Sequence, residues 1–379
     1  MTGAIRLAFA AFFFVYFAYI GLMSPYASLY FANRHFTPIE IATLMSMFQI
    51  TRILGPFAWG TLADWRRDRL GIMRLTTLLA CVIFTGVFVL QEYWALLIWM
   101  FLLNTVISSL MPLGEAATVH ALFKDNAFDK RYGRLRLWGS IGFIVMVMVA
   151  GEWFERYGID SLPWFGITAL LVLAILARLL REPPLPEPLS HHTPFLHVFK
   201  NRELWWFLSA NFWMIFGHAA LYVFYSLYLN QLGYSKSEIG LFWMVGVLAE
   251  VFFFYFQNTF FSRFKTTRIL DVAYLLMVVR FLLIAYWPST AILFVAQLMH
   301  AATFGAHHSG SIKMLQTWFT GHSQARGQAL HTTVSYGLGG TVGGLAAGWG
   351  WEHLGANHVF GLAAISGLIG YVCMQRIRR

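Results

Sequence analysis

Long apolar runs alternate with short polar segments along the whole chain. Twelve of the runs are long enough to cross a hydrocarbon layer of about 30 Å, so the pattern predicts an all-α membrane protein with twelve transmembrane helices. The first six predicted spans are residues 5–30, 38–63, 71–90, 94–122, 132–153 and 162–180. The second six are residues 204–229, 236–261, 268–287, 290–315, 327–349 and 358–374.

The longest polar interruption divides these spans into six and six. It is a proline-rich cytoplasmic connector, residues 182–201, which contains the adjacent pair His191 and His192. Two histidines without acidic or thiol neighbours are expected to be solvated rather than to bind a metal ion. We therefore predict an N-terminal six-helix bundle over residues 1–181 and a C-terminal six-helix bundle over residues 202–379.

Short sequence matches relate the two halves at a nearly constant offset of 197 or 198 positions. Agreement on one offset, together with the equal number of spans, indicates two six-helix repeats of parallel topology. Such repeats are typical of membrane transporters. The matching segments are Ser28-Leu29-Tyr30 with Ser226-Leu227-Tyr228, Glu40-Ile41 with Glu238-Ile239, and the segment from Glu155 to Gly158 with the segment from Glu352 to Gly355.

Composition supports a membrane protein and excludes several other classes. Hydrophobic residues make up 58% of the 379 residues and charged residues only 12%, whereas soluble domains carry about 25% charged residues. Two cysteines are too few for a disulfide framework, and no polar stretch is long enough for a soluble enzyme or a nucleic-acid-binding domain. The net charge of +10 follows from topology, because the outer loops hold only Arg34, Arg156 and Lys236 when both termini are cytoplasmic. We predict a multi-pass protein of a bacterial-type inner membrane.

Six charged residues within the predicted spans are candidates for a functional site. Each costs about 2.5 to 3.5 kcal/mol at the bilayer centre, so a partner or a water-filled cavity is expected. Arg52 and Glu250 are 198 positions apart and lie at matching depths of the two repeats. They form either a structural ion pair between the halves or part of a substrate or proton site at the midplane. Apolar neighbours of Glu250 favour the protonated carboxyl that proton carriage requires. The six residues are Arg52, Glu115, Arg136, Glu250, Arg280 and Lys313.

Positive residues outnumber negative ones among these six, which favours an anionic solute. Glu115 and Arg136 are separated by one short cytoplasmic loop, so their helices are neighbours and the side chains can pair. Trp138 and Phe143, close to Arg136, offer rings on which a substrate can stack. Any of Arg52, Arg136 and Arg280 is suited to a carboxylate, since guanidinium matches it bidentately.

The predicted spans also contain histidines. His300 and His308 are candidates for a proton relay because imidazole titrates near working pH, whereas His218 and His331 fit buried structural residues. Lys313 lies near the inner end of the tenth span, from which a lysine can extend its ammonium group to the interface.

No enzymatic motif is present. The chain has no His-Glu-x-x-His, Gly-x-Ser-x-Gly or Walker motif, and carboxylates outside the spans do not cluster. We therefore expect neither enzymatic activity nor a cofactor.

One polar loop resembles a family signature. The segment Gly60-Thr-Leu-Ala-Asp64-Trp-Arg66-Arg67 is similar to the loop of the major facilitator superfamily, Gly-x-x-x-Asp-Arg followed by basic residues, with Trp65 in place of the usual arginine. The resemblance implies that Asp64 and either Arg66 or Arg67 help to latch an inner gate, with Gly60 at the start of the loop.

Further segments resemble lactose-permease-type proton symporters, and more closely the phenylpropionate-permease branch. They are Pro112-Leu-Gly-Glu115, Gly133-Arg134-Leu-Arg136-Leu-Trp-Gly139, Arg52-Ile-Leu-Gly55, Ala249-Glu250, Val279-Arg280, His300, Thr303-Phe304, His308 and Lys313. The resemblance implies that Glu115 and Arg136 bind substrate and that Glu250, Arg280 and His300 link binding to proton movement.

Two departures argue against sugar transport by the lactose-permease scheme. Thr303 stands where the sugar permease has an acid, and Phe143 stands where it has a tryptophan. We therefore expect Glu250 to carry the proton.

The resulting hypothesis is a monomeric proton-coupled symporter that works by alternating access and imports an aromatic carboxylate such as 3-phenylpropionate. Its partners are a small-molecule substrate, protons and the lipid bilayer, and its energy source is the proton gradient. Two alternatives stay open. One is a proton symporter for a neutral solute, a nucleoside or an oligosaccharide, and the other is a polytopic membrane enzyme.

Overall fold

The computed structural model of the chain describes residues 3–122, 128–182, 200–320 and 323–377, and these residues form helices without any strand. Ten helices in this part of the chain are long and apolar enough to cross a membrane. Two further helical segments, 290–318 and 324–354, contain a π-helical stretch and complete the twelve predicted spans. Residues 183–199 of the predicted connector, including His191 and His192, lie outside the described residues.

The helices follow the hydropathy pattern closely. In chain order the α-helices are α1 (Gly3–Asn33), α2 (Pro38–Arg66), α3 (Arg69–Phe84), α4 (Tyr93–Ile107), α5 (Leu110–Leu122), α6 (Phe128–Tyr157), α7 (Leu162–Leu179), α8 (Arg202–Gln231), α9 (Lys236–Arg263), α10 (Thr266–Tyr286), α11 (Thr290–Leu298), α12 (His307–Trp318), α13 (Gln324–His331), α14 (Gly340–Leu354) and α15 (Ala356–Arg376). The π-helical stretches are Ala301–Ala306, between α11 and α12, and Thr332–Gly339, between α13 and α14. Helices α4 and α5 belong to one span.

The turn between α1 and α2 recurs between α8 and α9. His35 and Gly233, 198 positions apart, have φ values of 63° and 89°, in the left-handed region. After each turn, a hydroxyl residue and a glutamate cap each other's backbone N–H and so begin the next helix. The two capping boxes are Thr37 with Glu40 and Ser235 with Glu238. The backbone thus repeats at the offset that the sequence shows.

Two close helix contacts repeat in the same way. Gly142 on α6 lies against the carbonyl oxygen of Phe14 on α1, and Gly339 lies against the carbonyl oxygen of Phe212 on α8. A Cβ atom at Gly339 would lie only 2.7 Å from that oxygen, so glycine is required for the close approach.

The described residues group into two compact units that exchange helix ends. In the first unit, α1 packs against α6 and α7; in the second, α10 packs against α15 and α12. The beginning of α2 belongs to the second unit and the beginning of α9 to the first. The first unit contains described residues of 1–36, 54–188 and 229–244, and the second those of 37–53, 189–228 and 245–379.

In each unit, a glutamate binds the N-terminus of the helix that only begins in that unit. In the first unit, Oε2 of Glu155 accepts a hydrogen bond from the backbone N–H of Lys236, at the start of α9, at 2.8 Å. In the second, Oε2 of Glu352 accepts one from the N–H of Ile39, at the start of α2, at 3.4 Å. A carboxylate at a helix N-terminus is favoured by unpaired N–H groups and by the helix dipole. Because Glu155 and Glu352 are repeat-related, the same contact secures both ends.

Candidate functional site

Arg280 is the centre of a buried polar cluster in the second unit. Its side chain has no exposed surface. One terminal nitrogen donates to Oγ1 of Thr303 at 2.8 Å and to Nδ1 of His300 at 3.1 Å, and the other donates to Oε1 of Gln297 at 3.3 Å. These acceptors satisfy both terminal nitrogens of a cation that would otherwise be costly to bury.

The same contacts fix the tautomer of His300. A guanidinium has no acceptor atom, so Nδ1 of His300 must accept, and the proton of the neutral ring is on Nε2. That nitrogen faces Oε2 of Glu250 at 3.7 Å. His300 therefore lies between the buried arginine and the carboxylate.

Thr303 extends the cluster to α8. Its hydroxyl oxygen accepts from Arg280, which leaves the hydroxyl hydrogen for Nε2 of His218 at 3.3 Å. Nδ1 of His218 in turn donates to the carbonyl oxygen of Met214 at 2.9 Å. Sequence reasoning had placed His218 among structural residues and had not singled out Gln297. The sequence does show polar residues in the neighbouring helices α8 and α11. Hydropathy does not show, however, which faces of these helices they occupy.

Arg52 lies in the same unit, near the middle of α2. Its guanidinium carbon lies 4.9 Å from the ring centre of Phe48 and 5.5 Å from that of Tyr336. Its side chain makes no hydrogen bond or ion pair with any residue that the structure describes, whereas the side chains of Arg280 and Arg136 both have polar partners. The side chain is half-buried.

Three parallel rings connect this region with Glu250. The imidazole of His300 stacks on Phe304 with ring centres 5.1 Å apart, and Phe304 stacks on His308 at 6.1 Å. Nδ1 of His308 lies 3.1 Å from the hydroxyl oxygen of Tyr336. Phe304 and Tyr336 occur within the two π-helical stretches, a geometry that is frequent at functional sites.

Glu115 and Arg136 form the predicted ion pair, in the first unit. Nη1 of Arg136 lies 3.4 Å from Oε1 of Glu115, and the side chains are 34% and 37% exposed. Tyr132 also hydrogen-bonds to Glu115. The guanidinium lies over the rings of Phe13 and Phe17, at 5.6 Å and 5.1 Å. The site is therefore a partly exposed ion pair whose guanidinium lies over two aromatic rings.

The remaining predicted residues are not gathered around these groups. Phe143 is buried against Gly21 of α1, and Trp138 is 46% exposed on α6. Lys313 lies over the ring of Phe261, which is two residues from the end of α9 and about 16 Å along that helix from Glu250. Their proposed contacts with substrate stay predictions.

At the predicted gate loop, Asp64 pairs with a different arginine. Oδ1 of Asp64 lies 3.9 Å from Arg69, at the start of α3, while Arg66 and Arg67 are exposed. Arg67 has a φ of 52°. Gly60, one turn earlier on α2, has open space where a Cβ would stand.

No group of three or more His, Cys, Asp or Glu side chains is placed to hold a metal ion in the described part of the chain. The polar groups above instead offer hydrogen-bond donors, a carboxylate and imidazole rings inside helices that cross a membrane.

A sequence model described as "MFS_1 like family" matches residues 6–362. The chain belongs to this family. A protein of Escherichia coli (strain K12) named "Probable 3-phenylpropionic acid transporter" is 29% identical over 364 residues, which cover 94% of this chain and 93% of that protein. The "Maltose permease" of Geobacillus stearothermophilus is 23% identical over 376 residues, which cover 98% of this chain and 94% of that protein.

Solved structures confirm the fold expected of an MFS_1-like protein. A mutant of the nucleoside transporter NupG superposes with a TM-score of 0.90 at 14% identity, covering 99% of this chain and all of that chain. The family, the apolar helices and this likeness identify a multi-pass membrane transporter with the major facilitator fold, as the sequence predicted.

Proposed function

We propose that this transporter is a proton-coupled symporter that imports an aromatic carboxylate such as 3-phenylpropionate by alternating access. One observation carries the proposal. Arg52, a cation within a membrane helix that makes no hydrogen bond or ion pair with the described residues, is held between two aromatic rings in the same unit as the Glu250 and His300 pair. An aromatic acid supplies both missing interactions, a carboxylate for the guanidinium and a ring for the aromatic side chains.

The choice of Arg52 follows from what the other two arginines contact. The terminal nitrogens of Arg280 donate to His300, Thr303 and Gln297, and Arg136 is neutralised by Glu115. Only Arg52 keeps its bidentate face for a ligand. The name of the Escherichia coli relative supports the same substrate class.

Glu250 carries the proton in this proposal, assisted by His300. The carboxylate lies 3.7 Å from Nε2 of His300, whose N–H is directed at it, while Arg280 occupies Nδ1 of the ring. The transported proton therefore binds to the carboxylate of Glu250, and His300 orients that group. Loading Glu250 with a proton removes an intramembrane charge and so lowers the cost of moving the site across the bilayer.

Other predicted residues keep supporting roles. Glu115 and Arg136, with Trp138 and Phe143 nearby, contribute to substrate binding from the first repeat, and His308 and Lys313 contribute from the second. Gly60, Asp64, Arg66 and Arg67 belong to the inner gate. The protein works as a monomer in a bacterial inner membrane, with cytoplasmic termini and two six-helix bundles, residues 1–181 and 202–379, joined by the cytoplasmic connector.

A neutral solute is the second candidate. The maltose permease and the nucleoside transporter among the similar proteins favour it. In that case the rings beside Arg52 would stack on a base or a sugar, and replacing Arg52 would impair folding as much as binding. An enzymatic role has no such support, because the similar proteins are transporters.

The deciding experiment is uptake of labelled 3-phenylpropionate into proteoliposomes under an acid-outside pH gradient. Native protein is compared with Glu250→Gln and with Glu92→Gln, a matched control at an exposed helix-capping position whose side chain makes no capping hydrogen bond. Protein-free liposomes measure passive entry of the protonated acid. We expect saturable, protonophore-sensitive uptake by native protein and by Glu92→Gln, and its loss in Glu250→Gln.

Native uptake equal to that of empty liposomes would reject the aromatic acid. Labelled uridine and maltose are then the next substrates. Full gradient-driven uptake by Glu250→Gln would instead reject this carboxyl as the proton carrier.

A further inference from the structure

Tyr336 contacts Arg52, one of the groups that the proposed transport cycle must link, and also His308. Its ring lies 5.5 Å from the guanidinium carbon of Arg52, and its hydroxyl oxygen lies 3.1 Å from Nδ1 of His308. One contact uses the face of the ring and the other uses its hydroxyl group. Tyr336 is thus the described residue that touches Arg52 on one side and a histidine on the other.

The position of Tyr336 is fixed by the π-helical stretch Thr332–Gly339. Oγ1 of Thr333 donates to the carbonyl oxygen of Ile53 at 3.2 Å, and Gly337 lies so close to Ile53 that a Cβ there would be 2.7 Å from Cγ1 of Ile53. Thr333 and Gly337, before and after Tyr336 in the chain, therefore both contact Ile53, the residue that follows Arg52. Wider π turns redirect side chains relative to a regular helix, which places this ring beneath the guanidinium.

From His308 the contacts continue to the carboxylate. His308 stacks on Phe304, Phe304 on His300, and His300 faces Glu250. The interplanar angles are 11° and 7°, so the three rings stack with nearly parallel faces. An unbroken series of contacts thus runs from Arg52 through Tyr336 to Glu250.

We infer that Tyr336 is a positioning residue that couples carboxylate binding at Arg52 to protonation at Glu250, an inference that rests on the proposed function. A free guanidinium disfavours protonation of its neighbours, and a bound carboxylate cancels that charge. The bound anion also competes with the ring for the guanidinium, and the tyrosine hydroxyl passes the change to His308. The charged and titratable groups around Tyr336 are Arg52, Tyr222, Glu250, His308 and His331.

Two substitutions separate the roles of the ring and the hydroxyl. Tyr336→Phe keeps the ring under Arg52 and removes the contact with His308. We expect its KM for 3-phenylpropionate to stay within about threefold of native, while the stimulation of uptake by an acid-outside gradient falls at least fivefold. Tyr336→Leu removes the cation–π contact, and we expect its KM to rise by about three- to fivefold.

His308→Gln tests the other partner of the hydroxyl. It is expected to lose gradient stimulation as Tyr336→Phe does, and the double variant is expected to lose no more than either single variant. Substrate-induced proton uptake by purified protein in detergent, read with a pH dye, gives the same comparison without transport.

Three results overturn the inference. Native protein without gradient-driven uptake rejects it together with the proposed function. Native gradient stimulation that Tyr336→Phe retains rejects the inference alone. Equal losses of substrate affinity in Tyr336→Phe and Tyr336→Leu, with gradient stimulation and proton uptake unchanged, show a purely structural tyrosine and also reject it.

Discussion

Three arginines within the membrane helices differ in what their guanidinium groups can still bind. Arg280 donates to three neutral acceptors, and Arg136 has a carboxylate partner. Arg52 lies over two aromatic rings, which stabilise a cation without using its N–H groups. The same residue type is therefore part of a polar cluster at Arg280, whereas in the proposed function Arg52 binds the substrate.

Replacing Arg52 tests this difference. Arg52→Gln removes a charge-assisted, bidentate contact of about 1.5 to 3 kcal/mol, so KM for 3-phenylpropionate should rise by roughly 10- to 100-fold. Arg52→Lys keeps the positive charge but cannot bind the carboxylate bidentately, so we expect an intermediate KM. Initial rates in proteoliposomes give both values, with the amount of folded protein measured by gel filtration. Native-like KM in Arg52→Gln would assign the carboxylate to another residue.

Helix order and span positions could be predicted at the level of elements. The repeat offset predicted only that Arg52 and Glu250 lie at matching depths, whereas a short loop was enough to predict the ion pair of Glu115 with Arg136. Gln297, Thr303, His218 and Tyr336 could not be placed, because hydropathy gives the depth of a residue and not the direction of its side chain. The π-helical stretches change that direction again, and no simple sequence period marks them.

The second π-helical stretch offers a test at this scale. Gly337→Ala puts a Cβ within 2.7 Å of Ile53, and overpacking typically costs about 1 to 3 kcal/mol, more than the roughly 1 kcal/mol that alanine gains over glycine in a helix. We expect a lower thermal stability and a higher KM, since the displaced Ile53 adjoins Arg52. Gly133→Ala on α6, where no atom lies within 4 Å, is the control and should be neutral or stabilising. If both KM and thermal stability are unchanged in Gly337→Ala, this stretch does not hold Arg52 in position.

For the molecule as a whole, the proposed pairing of one proton with one monoanion moves no net charge. The pH gradient alone then drives uptake, and a membrane potential adds nothing, whereas a second proton would add about 2.3 kcal/mol per 100 mV. We expect no substrate-induced current in proteoliposomes adsorbed on a solid-supported membrane under conditions that give full uptake. An inward current that scales with uptake would require more than one proton per substrate.

The exchange of helix ends has a consequence for biogenesis. Residues 229–244, which contain the beginning of α9, belong to the first compact unit although they follow its other segments by about 40 residues. Most of that unit is therefore synthesised before residues 229–244. The final packing of that unit has to wait until Met244 has been synthesised.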